Sequence, residues 1–248
     1  MIEFAGIRSD ERNLIVEHYP QRFFPKRKYN AQVIPGGDKD FIIDEGEDAF
    51  SNYSQPYSVF FDSKGPGLSQ ASRHIAEWLL GNPGYQRLED SYDPDFYRLA
   101  YYSGGEQFLN YFNEYGRGTL TFTCAPKRFY KSGETQITLT NGITLYSPSK
   151  FKAWPLVEFV CAANTDEATL TITDKDGTAR EFKVYNSGSG TLSFIIDPRR
   201  HTAVSRTGTA RNPYVLSPYE DLYLSEESTI TWSSQLTSVK LTPRWWTI

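Results

Sequence analysis

Short alternating runs separated by tight-turn residues fill the sequence beyond residue 133, and this feature constrains the fold most. Residues 136–140 and 143–146 flank Asn141-Gly142, a dipeptide that favours a two-residue β-hairpin turn. Residues 168–173 and 178–184 flank a second turn, at 174–177, in the same way. Further strand-like runs follow at 191–197, 221–224, 229–232 and 238–241. Seven or more short strands without a helix signal predict a β-sandwich for this half of the chain.

The first 133 residues carry one clear helix pattern among strand-like runs. Four apolar residues share one stripe of that helix: Ala71, Ile75, Trp78 and Leu79. Ser69 is a candidate N-cap and Gly81 a candidate C-cap. Because a helix this short is marginal alone, Trp78 is expected to be buried against a sheet. Strands are predicted at 41–43, 58–61, 97–102 and 119–123. A turn at 64–67 ends the second of them, and Ala125-Pro126 closes the last.

Three other N-terminal segments have less distinct patterns. Residues 2–7 and 14–18 alternate around the turn residues 9–11 and predict a hairpin. Residues 22–29 (RFFPKRKY) have two interpretations. They form either a loop or an edge strand whose charges and Pro25 prevent pairing with another chain, or an arm that contacts another subunit. The segment 106–116 is ambiguous, because Phe108, Phe112 and Tyr115 have helical spacing within a β-rich region.

Length, charge and cysteine content narrow the class of protein. The chain has 248 residues, enough for two β domains, and the change of pattern near Gly133 predicts domains 1–133 and 134–248. The net charge of −4 is spread over both halves, which argues against nucleic-acid binding as the main task. Two cysteines, Cys124 and Cys161, are expected to be buried thiols. No window resembles a membrane span or a signal peptide.

Candidate catalytic and metal residues do not form a known arrangement. The acidic segment 38–48 could suggest a calcium-binding EF-hand loop that starts at Asp38. Such a loop needs an oxygen ligand at its fifth position and glycine at its sixth. Ile42 and Ile43 occupy these positions, so the spacing does not fit. Glu89 and Asp93 could form a glycosidase pair, but acidic residues are common in Asp-Pro turns for local hydrogen-bonding reasons. We therefore predict no metal, no cofactor and no enzymatic activity.

The tryptophan pair near the C-terminal end, Trp245-Trp246 beside Arg244, has two interpretations. It could stack against a sugar ring. Because adjacent strand residues point to opposite faces, one tryptophan is expected in the core, with the other exposed or covered by a partner. Core packing with a subunit or domain contact is the favoured interpretation.

Several short motifs occur along the chain in a characteristic order. In the N-terminal half they are Trp78-Leu79-Leu80, the Asp93-Pro94-x-x-Tyr97 step with Arg98, Gly116-Arg117 and Phe122-x-Cys124-x-Pro126. In the C-terminal half they are Ile195-Ile196-Asp197 and Pro243-Arg244-Trp245-Trp246. In this order the motifs resemble the distal tail proteins of long-tailed phages that infect Gram-positive bacteria. One departure is Gly37, where relatives often carry arginine in a Pro-Gly-Arg-Asp-Gly turn.

The resemblance implies a structural protein of the virion tail tip, made in the host bacterial cytoplasm. Six copies would form a ring that joins the tail tube protein to the tail-tip protein or baseplate and carries receptor-binding proteins. Domain 1–133 would form the ring, and domain 134–248 would be a galectin-like β-sandwich at its periphery. The candidate structural anchors and interface residues are Trp78, Tyr97, Arg98, Arg117, Cys124, Pro126, Arg244, Trp245 and Trp246.

The alternative function is a carbohydrate-binding β-sandwich module or adhesin that contacts the host cell surface. A galectin sugar site would need a His-x-Asn-x-Arg run and a Trp-x-x-Glu-x-Arg run. The segments that begin at His201 and Trp232 supply neither. A galectin-like fold therefore does not by itself imply sugar binding here.

Overall fold

The computed structural model describes residues 1–17, 20–46, 48–62, 68–105, 109–111 and 115–248. In this part of the chain the fold is mainly β with one α-helix, as the sequence predicts. The chain divides into two compact units, Met1–Arg128 together with Ile248, and Phe129–Thr247.

The first unit combines an antiparallel sheet, a two-stranded ribbon and one helix. Its strands are β1 (Ile2–Phe4), β2 (Ile7–Arg8), β3 (Leu14–Val16), β4 (Tyr29–Gln32), β5 (Phe41–Asp44), β6 (Tyr53–Asp62), β7 (Gln86–Asp90), β8 (Phe96–Tyr102), β9 (Leu109–Tyr111) and β10 (Tyr115–Tyr130). Its helices are the 3-10 helix Ser9–Arg12 and α1 (Leu68–Leu80). The sheet order is β2-β1-β7-β8-β10-β6-β3, with β9 also paired to β10, while β4 and β5 form the ribbon.

Helix α1 covers the core of this unit, as its apolar stripe predicts. Ile75, Trp78 and Leu79 are buried, and the Trp78 indole N–H donates to the carbonyl oxygen of Phe4 at 2.9 Å. Phe4 in turn lies 5.0 Å, centroid to centroid, from the ring of Phe122 on β10. The helix ends before Gly81, whose N–H donates to the carbonyl of Glu77. The single helix is thus held by the sheet beneath it.

Two N-terminal predictions are wrong in detail. Ala5 and Gly6 adopt left-handed φ values of 53° and 78°, so β1 turns back at once onto β2. β3 then pairs with β6 instead of β1. Likewise Ala125-Pro126 does not end a strand: Pro126 has no N–H to donate, yet the backbone of β10 stays extended to Tyr130.

Some predictions fall outside the described residues. They concern His18 as the end of a strand, the turn at 64–67, the side chain of Ser69 as N-cap, Glu47 in the acidic segment, and Phe108 and Phe112. Within the ambiguous segment, the described residues 109–111 form β9.

The second unit is a sandwich of two antiparallel sheets. Its strands are β11 (Ile137–Thr138), β12 (Ile143–Tyr146), β13 (Leu156–Cys161), β14 (Thr165–Asp174), β15 (Ala179–Asn186), β16 (Leu192–Asp197), β17 (Thr202–Val204), β18 (Glu227–Trp232), β19 (Leu236–Thr242) and β20 (Trp246–Thr247). The 3-10 helices are Lys131–Glu134, Pro198–Arg200, Asn212–Tyr214 and Tyr219–Asp221. The sheet orders are β11-β19-β13-β16-β17 and β12-β18-β14-β15. Strands of both sheets bury alternate residues, as facing sheets require.

The Asn141-Gly142 turn was the strongest hairpin signal of the sequence, but the two strands that it connects belong to different sheets. β11 pairs with β19, and β12 pairs with β18 in the other sheet. The turn itself forms, with Gly142 at φ 89°, while both amide atoms of Asn141 bond the backbone of Trp232. The hairpin predicted around 174–177 is present as β14 and β15. Residues 221–224 are not a strand, since only an isolated bridge joins Leu224 to Ala153.

Candidate interface surfaces

The nine residues selected from the sequence divide by exposure. Five are buried, Trp78, Arg98, Cys124, Trp245 and Trp246, and three are half-buried, Tyr97, Pro126 and Arg244. Arg117 alone is exposed. Most of this set therefore consists of structural anchors, and only Arg117 offers its side chain directly to a partner.

Arg98 is the centre of a buried polar network in the first unit. Its guanidinium lies 2.9 Å from the carboxylate of Asp90 and 3.2 Å from that of Asp93. Tyr57 donates its hydroxyl to the same Asp90 oxygen at 3.0 Å. Burial, helped by the negative charge of Asp90, raises the pKa of Tyr57 well above its ordinary value, so the phenol stays a donor. The network ties β6, β7 and β8 together inside the unit.

The carboxylates considered as a glycosidase pair are occupied by structural contacts. Asp93 accepts from Arg98 and, at 2.9 Å, from Arg128. Glu89 is ion-paired with Arg87, whose guanidinium also lies 3.8 Å from the ring centroid of Tyr97. The oxygens of both carboxylates are therefore already engaged by arginine side chains of the same unit. This geometry suits structural anchoring rather than acid-base chemistry.

Both thiols are buried in the protein. Cys124 and Cys161 are free and buried. Burial raises the pKa of Cys124 to about 12 and also raises the pKa of Cys161. A protonated thiol is a poor nucleophile, so these residues act as small core side chains, as the sequence suggests.

The tryptophan pair corrects the sequence prediction, because both rings are buried. Trp245 is 7% and Trp246 1% exposed. Arg244 takes a left-handed φ of 58° immediately before the pair, and β20 begins only at Trp246. Trp246 stacks on Phe151 with centroids 4.4 Å apart and donates to the carbonyl of Lys152. Neither ring is free to stack on a sugar.

Arg117 belongs to a partly exposed apolar patch on the first unit. Strand register places Ile15, Phe60 and Arg117 side by side across β3, β6 and β10. Tyr115 stacks on Phe60 with centroids 5.8 Å apart, and Ile15 is exposed. Arg117 pairs with Glu17 at 2.7 Å. We call Ile15, Phe60, Tyr115 and Arg117 the outer patch; its aromatic and arginine content is typical of interface centres.

A second surface, the arm, is formed by residues 22–46. Every residue of the arm is exposed except Pro25, which is half-buried. Eight large apolar side chains lie on it: Phe23, Phe24, Tyr29, Val33, Ile34, Phe41, Ile42 and Ile43. An exposed apolar surface of this kind marks an interaction site.

The base of the arm is fixed to the first unit by backbone and charged contacts. Lys28 N–H donates to Ala49 O, and Ser51 N–H donates to Lys26 O, both at 2.8 Å. Arg27 lies 5.0 Å from the ring centroid of Phe50, and within the arm it pairs with Asp44 at 2.9 Å. Every residue of the ribbon strands β4 and β5 is exposed.

The acidic segment 38–48 is part of this arm and its base. Asp44 pairs with Arg27, and Asp48 pairs with Lys127 at 2.8 Å. In the described ranges no group of three or more His, Cys, Asp or Glu residues could hold a metal ion. Over the same ranges, no helix is long and apolar enough to cross a membrane.

The sequence offered a subunit-contact arm only for residues 22–29, as one of two options, and gave residues 41–43 as a separate strand; it missed the outer patch. The run Phe41-Ile42-Ile43 was an available signal for the rest of the arm, since three consecutive apolar residues on a ribbon leave both faces apolar. The outer patch had no sequence signal, because Ile15, Phe60 and Tyr115 meet only through strand register.

Two solved phage structures are similar to this chain over nearly its whole length. No protein-family profile matches the sequence, and no curated protein is similar to it. The shared feature is therefore the fold: a β-rich unit with one helix followed by a β-sandwich.

The SPP1 Dit protein, described as a paradigm of the hub adsorption apparatus in phages that infect Gram-positive bacteria, has this fold with a TM-score of 0.77. The likeness covers 100% of this chain and 98% of that chain at 14% identity. A chain of the phage P2 baseplate in its activated conformation with Ca is similar over 97% of this chain and 89% of that chain, with 10% identity and a TM-score of 0.50. The resemblance inferred from the motifs is thus confirmed at the level of the fold.

Proposed function

We propose that this protein is a structural hub of a phage tail, forming a six-subunit ring between the tail tube and the tail tip or baseplate. The main support is the exposed arm on a chain whose whole length shares the fold of the SPP1 Dit protein. The proposed location is the tail tip of the virion, after synthesis in the cytoplasm of the host bacterium. Its action is assembly, without catalysis or a cofactor.

The first unit carries two different surfaces, which is what a closed ring requires. In a cyclic assembly each subunit binds its neighbour through a heterologous contact, with one patch on each side. The arm is one such surface, and the outer patch around Phe60 and Arg117 is the second. The arm of one copy would lie on the outer patch of the next.

The two domains have different proposed roles. Residues 1–133 would form the ring, with the tail tube protein on one face and the tail-tip protein on the other. Residues 134–248, a galectin-like sandwich, would lie outside the ring, where receptor-binding proteins attach. Both tryptophans of the pair are buried in this chain, so sugar stacking by them has no place in the proposal.

The mass of the purified full-length protein in solution tests the ring. Six copies of a 28.4 kDa chain give about 170 kDa by light scattering. Negative-stain images of the same peak should show a ring with a central opening. A mass of one chain at every protein concentration contradicts self-assembly, and a two-fold symmetric dimer contradicts the heterologous contact.

A further inference from the structure

The ribbon of the arm has an apolar side chain on each of its faces. β4 and β5 pair Tyr29 with Asp44, Ala31 with Ile42, and Gln32 with Phe41. Directly paired residues share a face and neighbours along a strand alternate. Tyr29 and Ile42 therefore lie on one face, and Phe41 and Ile43 on the other.

Neither face is covered by the body of the protein. Tyr29 and Ile42 are 56% and 61% exposed, and Phe41 and Ile43 are 55% and 43% exposed. A sheet that docks on one surface keeps its second face polar, whereas a sheet covered on both sides is apolar on both. A two-stranded ribbon is also marginally stable alone, so covering both faces would stabilise it.

We propose that the arm is inserted between copies of this chain, with its Tyr29/Ile42 face against one copy and its Phe41/Ile43 face against another. This inference rests on the proposed ring. It adds a detail to the ring: a single arm then contacts two other subunits, whereas the ring alone requires it to contact only one.

Two observations favour copies of this chain as the occupants. The same chain carries the outer patch, whose isoleucine and aromatic residues match an apolar ribbon and whose Arg117 suits an arm with Asp38 and Asp40 near its tip. In addition, the eight large apolar residues of the arm are each between 43% and 78% exposed. Covering them on both sides of the arm removes apolar surface from water, which favours association.

The test uses two adjacent substitutions in the full-length protein, Ile42→Glu and Ile43→Glu, which place a charge on opposite faces. Tyr146→Glu in the second unit is the matched control, because Tyr146 is 70% exposed and lies outside the arm. Light scattering over a dilution series measures the concentration at which the assembly dissociates. Thermal unfolding checks that each variant is folded.

Both arm variants should raise the dissociation concentration by roughly tenfold or more, since each would desolvate a carboxylate at a contact, and Tyr146→Glu should leave it unchanged. An effect of only one arm variant would overturn the inference while the ring stands, because the arm would then lie on a single surface. A wild-type ring that neither substitution disturbs would overturn any role of the arm in assembly. A wild-type monomer would overturn the proposed ring itself and the inference with it.

Discussion

The guanidinium of Arg98 and the carboxylate of Asp90 lie 2.9 Å apart with side-chain exposures of 6% and 3%. Such a pair is costly to break, because removal of one partner leaves a buried charge without compensation. A surface pair of the same chemistry exists in this unit between Arg8 and Asp10, with exposures of 49% and 52%.

These two pairs give the first prediction. Arg98→Met should lower the free energy of unfolding by about 3–5 kcal/mol, whereas Arg8→Met should leave it nearly unchanged, because that ion pair is exposed to solvent. Urea denaturation of both variants measures the difference. Equal effects would mean that the buried network does not hold β7 and β8 in place.

The second prediction concerns the close approach of Gly116 to Phe61. A Cβ at position 116 would overlap the ring of Phe61, which is fully buried. Gly116→Ala should therefore cost roughly 1–3 kcal/mol of stability through overpacking. Gly190→Ala is the control, since its added Cβ would have nothing within 4 Å. A melting temperature of Gly116→Ala equal to that of the control would contradict this account.

The third prediction follows from the raised pKa of Cys124, about 12 against an ordinary 9.0. Between those pH values the unfolded chain loses a proton that the folded chain keeps, so stability falls as pH rises. The expected slope from this group is about 1.4 kcal/mol per pH unit. Chemical denaturation of wild type and Cys124→Ala at pH 8, 9 and 10 checks it. The variant should lose less stability over this range; parallel curves would exclude Cys124 as a source of the slope.

The fourth prediction concerns the turn that joins the two sheets of the second unit. Asn141 donates to the carbonyl of Trp232 at 2.9 Å and accepts from its N–H at 3.0 Å. Asn141→Ala should cost about 1–2 kcal/mol, because two hydrogen bonds between distant segments are lost. Asn82→Ala, at an exposed position outside the arm and the outer patch, should be nearly neutral. Equal unfolding midpoints for the two variants would show that the Asn141 side chain does not join the sheets.

The sequence pattern predicted the positions of helices, strands and turns better than it predicted which strands pair with one another. Trp78 was expected in the core because it lies on one stripe with Ile75 and Leu79, and each of the three is buried. The Asn141-Gly142 turn was also found, but its flanking strands went to different sheets. Turn chemistry determines a local reversal of the chain, whereas the hydrogen-bond partners of a two-residue strand depend on the sheets available around it.

The tryptophan pair shows the same division at a single site. Alternation left one ring of the Trp245-Trp246 pair to be exposed or covered by a partner, whereas both rings are buried within the chain. Arg244, just before the pair, has a left-handed φ of 58°. The bidentate bond of Arg244 to Asp197, at 2.9 and 3.2 Å, joins residues 47 positions apart and accompanies that backbone conformation. A sequence pattern does not contain such a contact.

The sequence by itself determined the β-rich class, the one helix with its buried stripe, the two core thiols and the motifs that resemble distal tail proteins, because these depend on spacing along the chain. Only the tertiary structure decided that Arg98 is a buried anchor, that both tryptophans are enclosed, and that Ile15, Phe60 and Tyr115 form one patch with Arg117. The physical reason is that burial and surface patches arise from strand register between distant segments. The arm lies between these cases: its apolar run is visible in the sequence, but its exposure on both faces is a property of the fold.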